Sequence, residues 1–216
     1  MPFNFYKLYS LRLEDIDTQI IFKAECFNLK YISFHNCDFT SINIDASPVT
    51  VGLFFCKYLK DFTTNLTKCE GLVISTCHRL FLSSLFNGDT LSFLQLYSLT
   101  LRNIHHQIQF KADCPKFKDV CFDNCDLTSI ELVTQPLKFN LSSCKYLKII
   151  KPNLVDCEEL KISNCLSLSR FFGDDVILFP KLTLIYFVSC NKISSYFQSV
   201  RNINLIIFLL IIFFSK

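Results

Sequence analysis

The sequence predicts a solenoid of stacked short parallel strands. Three observations predict it: a direct internal duplication, a shorter apolar unit repeated within each copy, and an alternation inside that unit that suits strands. A shift of 88 residues aligns positions 5–80 with positions 93–168 without a gap. About half of the aligned positions are identical, well beyond what biased composition produces. LYSLRL at 8–13 matches LYSLTL at 96–101, NCDFTSI matches NCDLTSI, and CKYLK occurs at 56–60 and again at 144–148.

Each copy contains four shorter units of the form apolar-x-x-apolar-x-apolar-x-x-Cys/Ile. In the first copy these are Leu8-Leu11-Leu13-Ile16, Leu29-Ile32-Phe34-Cys37, Pro48-Val51-Leu53-Cys56 and Cys69-Leu72-Ile74-Cys77. The second gives Leu96-Leu99-Leu101-Ile104, Phe117-Val120-Phe122-Cys125, Pro136-Phe139-Leu141-Cys144 and Cys157-Leu160-Ile162-Cys165. A ninth unit reads Leu182-Ile185-Phe187-Cys190. The last template position advances in steps of 21, 19, 21 and 27, then 21, 19, 21 and 25. The expected organisation is one solenoid over 1–202, with blocks 5–92 and 93–178, a ninth repeat at 179–202, and a hydrophobic tail at 203–216.

The central apolar-x-apolar pair reads as a short strand with both apolar side chains on one side. A single such strand cannot hide its apolar face, so neighbouring units must stack and share an interior. The polar positions between then line the opposite face. A second alternation follows each strand, in Ile20-Phe22, Ile42-Ile44, Ile108-Phe110 and Ile130-Leu132. So few residues per coil leave little room for helices there, and extended or 3₁₀ segments are expected. The two long steps contain HRLFLSSLFNGD and LSLSRFFGDD, with Gly88 and Gly173 where the chain must reverse.

This spacing resembles the leucine-rich-repeat family, whose units read L-x-x-L-x-L-x-x-N/C-x-L over 20–29 residues. Phe39 and Leu127, two residues after a template cysteine, match the last Leu of that motif. The resemblance covers about residues 8 to 195. It departs where Cys or Ile stands at the usual Asn, and where Phe or Ile replaces Leu. The implied fold class is an α/β-type leucine-rich-repeat solenoid. It would have a parallel β-sheet on the concave side, short extended or 3₁₀ segments and loops on the convex side, and little regular α-helix.

Composition narrows the function. Half of the chain is hydrophobic and only 19% is charged, so it must fold. Four Gly in 216 residues argue against tight hairpins and phosphate-cradling loops. A formal charge of +3 with scattered Lys and Arg does not suggest a nucleic-acid footprint. The first nine residues lack a basic region, a long apolar run and a small-residue cleavage site. Twelve cysteines without an export signal suggest buried thiols in a reducing compartment. The expectation is a cytoplasmic or nuclear protein.

Catalytic and metal patterns are weak. Cys121-x₃-Cys125, with Cys114 and His105 or His106 nearby, has a spacing that zinc tolerates. The template turns Cys121 outward and Cys125 inward, however, and Ser33 replaces Cys121 in the first copy. The repeating cysteines are expected to stack as a structural ladder, their thiols donating weakly to carbonyls of the neighbouring coil. Cys77 and His78 are adjacent and so point apart, while His105 and His106 belong to an exposed turn. No Ser-His-Asp pattern, H-E-x-x-H run or Gly-rich loop occurs. The chain is therefore read as non-catalytic, without metal or cofactor.

What remains is binding. The resemblance implies a protein partner on the concave face, and the outward positions there include Arg12, Tyr31, His35, Phe54, Arg102, Asp123, Lys161 and Tyr186. Phe54 and Phe55 cannot both face the interior, which marks Phe54, with Tyr31 one coil earlier, as an exposed contact. The run LIIFLLIIFF, from Leu205 to Phe214, is shorter than a membrane-spanning helix requires. It admits three readings: a tenth repeat through Ile203-Ile206-Phe208-Ile211, a membrane anchor flanked by Arg201 and Lys216, or an unstructured end. The alternative function is accordingly a membrane-tethered recognition protein.

Overall fold

A computed structural model describes residues 3–82, 90–171 and 180–190. The chain divides into two compact units. One is built from the described residues up to Ile104 together with Asp113–Lys116; the other comprises His105–Ala112 and the described residues from Phe117 onward. Gly88, Gly173 and the C-terminal apolar run lie outside the described residues.

In the first unit the strands are β1 (Phe3–Asn4), β2 (Ser10–Glu14), β3 (Ile21–Glu25), β4 (Tyr31–His35), β5 (Ser41–Asp45), β6 (Thr50–Phe54), β7 (Asp61–Thr63), β8 (Gly71–Ser75) and β9 (Ser98–Arg102). The even strands and β9 form one parallel sheet in the order β2-β4-β6-β8-β9. The odd strands β1-β3-β5-β7 form a second parallel sheet. The second unit repeats the plan. It contains β10 (Ile108–Ala112), β11 (Asp119–Asp123), β12 (Leu127–Leu132), β13 (Lys138–Ser142), β14 (Ile149–Pro152), β15 (Glu159–Ser163), β16 (Arg170–Phe171) and β17 (Leu184–Val188). Strands β11-β13-β15-β17 make its first sheet and β10-β12-β14-β16 its second.

Each unit is thus a parallel-strand β-solenoid, and the described residues contain no α-helix. The second layer is more regular than expected: it is a hydrogen-bonded sheet, with a 3₁₀ turn at Leu66–Lys68. A coil of about 20 residues holds two strands of five and their turns, which leaves no length for a helix.

Register places the template residues in continuous files. Leu11, Ile32, Val51, Leu72 and Leu99 pair in succession, as do Leu13, Phe34, Leu53, Ile74 and Leu101. Val120, Phe139, Leu160 and Ile185 repeat this in the second unit. Most of these side chains are buried, each contributing roughly 1.5–3 kcal/mol. Phe22, Phe34 and Phe39 pack with ring centroids 5.4–5.8 Å apart and fill the space between the two sheets.

The second alternation is shifted in two strands. Ile20 is exposed, and the inward pair of β3 is Phe22 and Ala24, which register with Ile42 and Ile44 of β5. Phe110 and Ala112 likewise register with Ile130 and Leu132. The earlier apolar residue precedes the strand in β3, at Ile20, and opens it in β10, at Ile108, so register with the next coil, and not local hydrophobicity, chose the inward residues.

Every first-sheet strand is followed by a residue with positive φ, at Asp15, Asn36, Phe55, Thr76, Asn103, Asn124, Ser143, Asn164 and Ser189, all between 49° and 57°. This left-handed residue turns the chain away from the sheet while its N–H extends the ladder, as in Asn36 N to Phe54 O (2.8 Å) and Phe55 N to Ser75 O (2.9 Å). Asn and Asp tolerate the conformation because their short polar side chains bond locally. The Asn36 side chain donates to Asp15 (2.9 Å) and that of Asn103 to Thr76 (2.9 Å), linking one turn to the next.

The template residue follows at once, Ile16 and Ile104 after two of these turns and a buried cysteine after the other seven. The cysteine thiol donates to the carbonyl two residues back, as from Cys37 to His35 (3.2 Å) and from Cys190 to Val188 (3.2 Å). Several also reach the preceding coil, including Cys37 to Leu13 O (3.4 Å) and Cys144 to Phe122 O (3.8 Å). Hydrogen bonding between neighbouring thiols sets Cys56 and Cys144 below their ordinary range and Cys77 and Cys165 above it. Elsewhere burial dominates, pushing Cys69 and Cys157 up to about 12 and Cys114 to about 11.

Phe55 is exposed yet adopts a backbone that aromatic residues resist, so Phe55→Asn should raise unfolding free energy by about 0.5–1 kcal/mol in urea titrations. Because Cys69 and Cys157 titrate near 12 when folded and near 9 when unfolded, their stabilisation is complete below pH 9 and is lost as pH rises toward 12. Each should steepen the alkaline loss of stability by about 1.4 kcal/mol per pH unit, and Cys69→Ala should flatten it.

Candidate functional site

The outward positions of the first unit's sheet form a grid set by register. One row runs Ser10, Tyr31, Thr50, Gly71, Ser98; the next Arg12, Ser33, Gly52, Val73, Thr100; the third Glu14, His35, Phe54, Ser75, Arg102. Five sequence-predicted residues, Arg12, Tyr31, His35, Phe54 and Arg102, lie on this grid. Asp123, Lys161 and Tyr186 lie on the corresponding face of the second unit.

The best-organised part of the grid is the end of β4 and β6. The His35 imidazole stacks on Phe54, with centroids 4.3 Å apart and planes within 17° of parallel. Its Nε2 is 2.8 Å from the Ser33 hydroxyl. Phe54 folds back over Gly52: a Cβ there would lie 2.6 Å from the ring's Cε2. Gly52 is therefore the seat of Phe54, and its bare Cα explains why the ring lies flat along the strand. A glycine at an outward strand position is the signal that sequence reading passed over.

Tyr31 belongs to a different cluster. It registers with Thr50, at the opposite end of the strand from Phe54, and packs edge-on against Tyr9 at 5.4 Å. A hydrogen bond with the Tyr9 hydroxyl holds its phenol above the usual range. The outward aromatics thus separate into a Tyr9–Tyr31 pair and a His35–Phe54 stack, with Ser33 and Gly52 between them. Tyr9 precedes β2 and enters through its carbonyl, which accepts the Lys30 N–H at 2.8 Å.

A serine hydroxyl bonded to an imidazole is half of a nucleophile–base pair. Among the described residues no carboxylate is bonded to the His35 ring. Glu14 stands opposite His35 in register, but its carboxylate is taken by Arg12. The Ser33–His35 contact works here as a lock that fixes the ring on Phe54. Arg102 is exposed, and its carbonyl accepts the Thr76 N–H at 2.9 Å.

The second unit's face is ionic. Glu159 bridges Lys138 (3.0 Å) and Lys161 (3.0 Å), and these two ammonium groups hold its carboxyl below the usual range. Tyr186 registers with Lys161 at the edge strand. Asp123 ends β11 opposite Ser142, and its carbonyl accepts the Cys125 thiol (3.4 Å). Cys121 is partly exposed while Cys114 and Cys125 are buried. Among the described residues no group of three or more His, Cys, Asp and Glu is placed to hold a metal ion.

Gly52→Ala should lift the Phe54 ring off the strand at small cost, since the clash is with the far end of a flexible side chain. The expected readout is loss of the ring-current shift on the His35 imidazole protons in an NMR spectrum, with the fold otherwise retained.

Comparison with protein-family models, with known proteins and with solved structures finds no match to this chain.

Proposed function

We propose that this chain is a non-catalytic protein-interaction scaffold of irregular leucine-rich-repeat type, binding a protein partner on the outward face of its first sheets, which would be the concave side. The observation that carries the reading is the aromatic surface of the first unit. Tyr31 stands 45% exposed on a strand bonded on both sides, and the Phe54 ring is held in place by Gly52 below and His35 beside it. Rigid aromatic side chains give contact area with little loss of conformational freedom on binding. The spacing of the repeats, with Cys in the ladder position, supports the family reading.

Capture of cellular proteins on immobilised wild-type chain and on a Phe54→Ser, Tyr31→Ala chain tests the proposal. Loss of two anchors should weaken a specific partner by about 2 kcal/mol or more, roughly thirtyfold, with little change in the thermal midpoint. Equal recovery on both chains would sink the face as a binding surface.

A second reading, a membrane-tethered recognition protein, rests on the wholly apolar run at 205–214. Among the described residues no helix is long and apolar enough to cross a membrane. Deleting 203–216 separates the two. The scaffold reading predicts the same distribution between membrane and soluble fractions; tethering predicts a shift out of the membrane fraction.

A further inference from the structure

Of the nine left-handed residues that close the first-sheet turns, eight are Asn, Asp, Ser or Thr. The ninth is Phe55, at φ 56°, with its side chain 55% exposed. A bulky residue is strained in that backbone region, and an exposed ring recovers nothing by packing inside. The equivalent turn of the second copy closes on Ser143, so the turn itself needs no ring. Strain kept at a solvent-facing side chain points to a role outside the fold.

Phe55 opens the loop 55–60 that joins β6 to β7, and the loop 76–81 of the next coil lies alongside it. Backbone bonds tie the pair at both ends: Phe55 N–H donates to Ser75 O (2.9 Å) and Phe81 N–H to Lys60 O (3.1 Å). Between these ties the Tyr58 ring carries two cations, Lys57 Nζ at 5.0 Å from its centroid and Arg79 Cζ at 5.5 Å. Lys57, Lys60, His78 and Arg79 are exposed, and Phe81, at the far end, is 54% exposed. Of the nearby acids, Asp38 pairs with Lys57 (3.5 Å), and Asp61 begins β7 on the outward side of the second sheet. The shift of 88 residues keeps Lys57, Tyr58 and Lys60 as Lys145, Tyr146 and Lys148. It replaces Phe55, His78, Arg79 and Phe81 by Ser143, Leu166, Ser167 and Ser169. Only the first copy therefore joins two outward phenyl rings to a row of cations.

We infer that the paired loops 55–60 and 76–81 form a docking surface for a membrane that bears anionic lipid. Phe55 and Phe81 enter the boundary between headgroups and acyl chains, and Lys57, Lys60 and Arg79 between them meet lipid phosphates. A single-stranded nucleic acid fits less well, because it needs an open ring for a base and the central ring, Tyr58, is already engaged by two cations. A folded acidic partner would have to offer each phenyl ring its own pocket, whereas a fluid surface admits both. The surface owes nothing to Phe54 or to the apolar run at 205–214.

The test is sedimentation of the full chain with phosphatidylcholine vesicles, with and without phosphatidylserine. Binding is expected only where phosphatidylserine is present, and it should weaken as salt rises. Lys57→Gln with Arg79→Gln should weaken it about 25-fold, at about fivefold for each cation. Phe55→Asn is the sharpest variant: it should unfold at higher urea than the wild-type chain, yet bind the vesicles roughly threefold or more weakly. Loss of binding by a more stable chain has no explanation in misfolding. Phe81→Ser should weaken binding to a similar degree. Absence of binding that depends on phosphatidylserine overturns the proposal. So does binding that these variants leave unchanged, as attachment through the run at 205–214 would give. A fall in stability on Phe55→Asn, which would make the ring part of the fold, also overturns it, as does tighter binding to a single-stranded oligonucleotide than to the vesicles.

Discussion

Stacking of coils in register, so that each contributes two apolar side chains to an interior that no coil could enclose alone, is the constraint on which the structure rests. A strand of five residues with Leu-x-Leu on one side buries little by itself. Set against the next coil at the spacing of a parallel sheet, the same pair becomes part of a file running the length of the unit. The energy comes from between coils, and so does the choice of inward residues. Phe22 and Ala24 face inward, in place of the more hydrophobic Ile20, because Ile42 and Ile44 lie beside them.

That stacking demands a turn of constant shape after every first-sheet strand. The left-handed residue supplies it, and the buried cysteine stabilises it by donating to the carbonyl the turn leaves behind. A thiol is a weak donor, but it is small, apolar enough for the interior and able to sit beside another of its kind. The cysteine file is thus explained by packing and carbonyl satisfaction. Phe55 and Thr76 in the left-handed position show how strongly register prevails over local preference: neither residue favours that conformation, and the neighbouring coils impose it.

The outward face inherits its order from the same ladder. Side chains that are far apart in sequence become neighbours at fixed spacing, which is how His35 comes to lie on Phe54 and how Lys138 comes to meet Glu159. The first unit's face is aromatic and the second's ionic, although the two blocks descend from one duplicated sequence. Inward positions kept their character through that divergence because volume must match from coil to coil. Outward positions were under no such constraint, and that freedom is where recognition can evolve.

The repeat, the parallel first sheets, the inward files and the cysteine ladder were all legible in the sequence, because a periodic interior imposes a periodic pattern on the chain. Outward placement of Arg12, Tyr31, His35 and Phe54 was legible for the same reason. Only the tertiary structure decided which outward residues meet. Tyr31 pairs with Tyr9 and not with Phe54, because cross-strand register is a property of neighbouring coils. It also decided that the second layer is sheet. Period is written locally in a sequence, whereas contact between coils depends on how the coils are aligned.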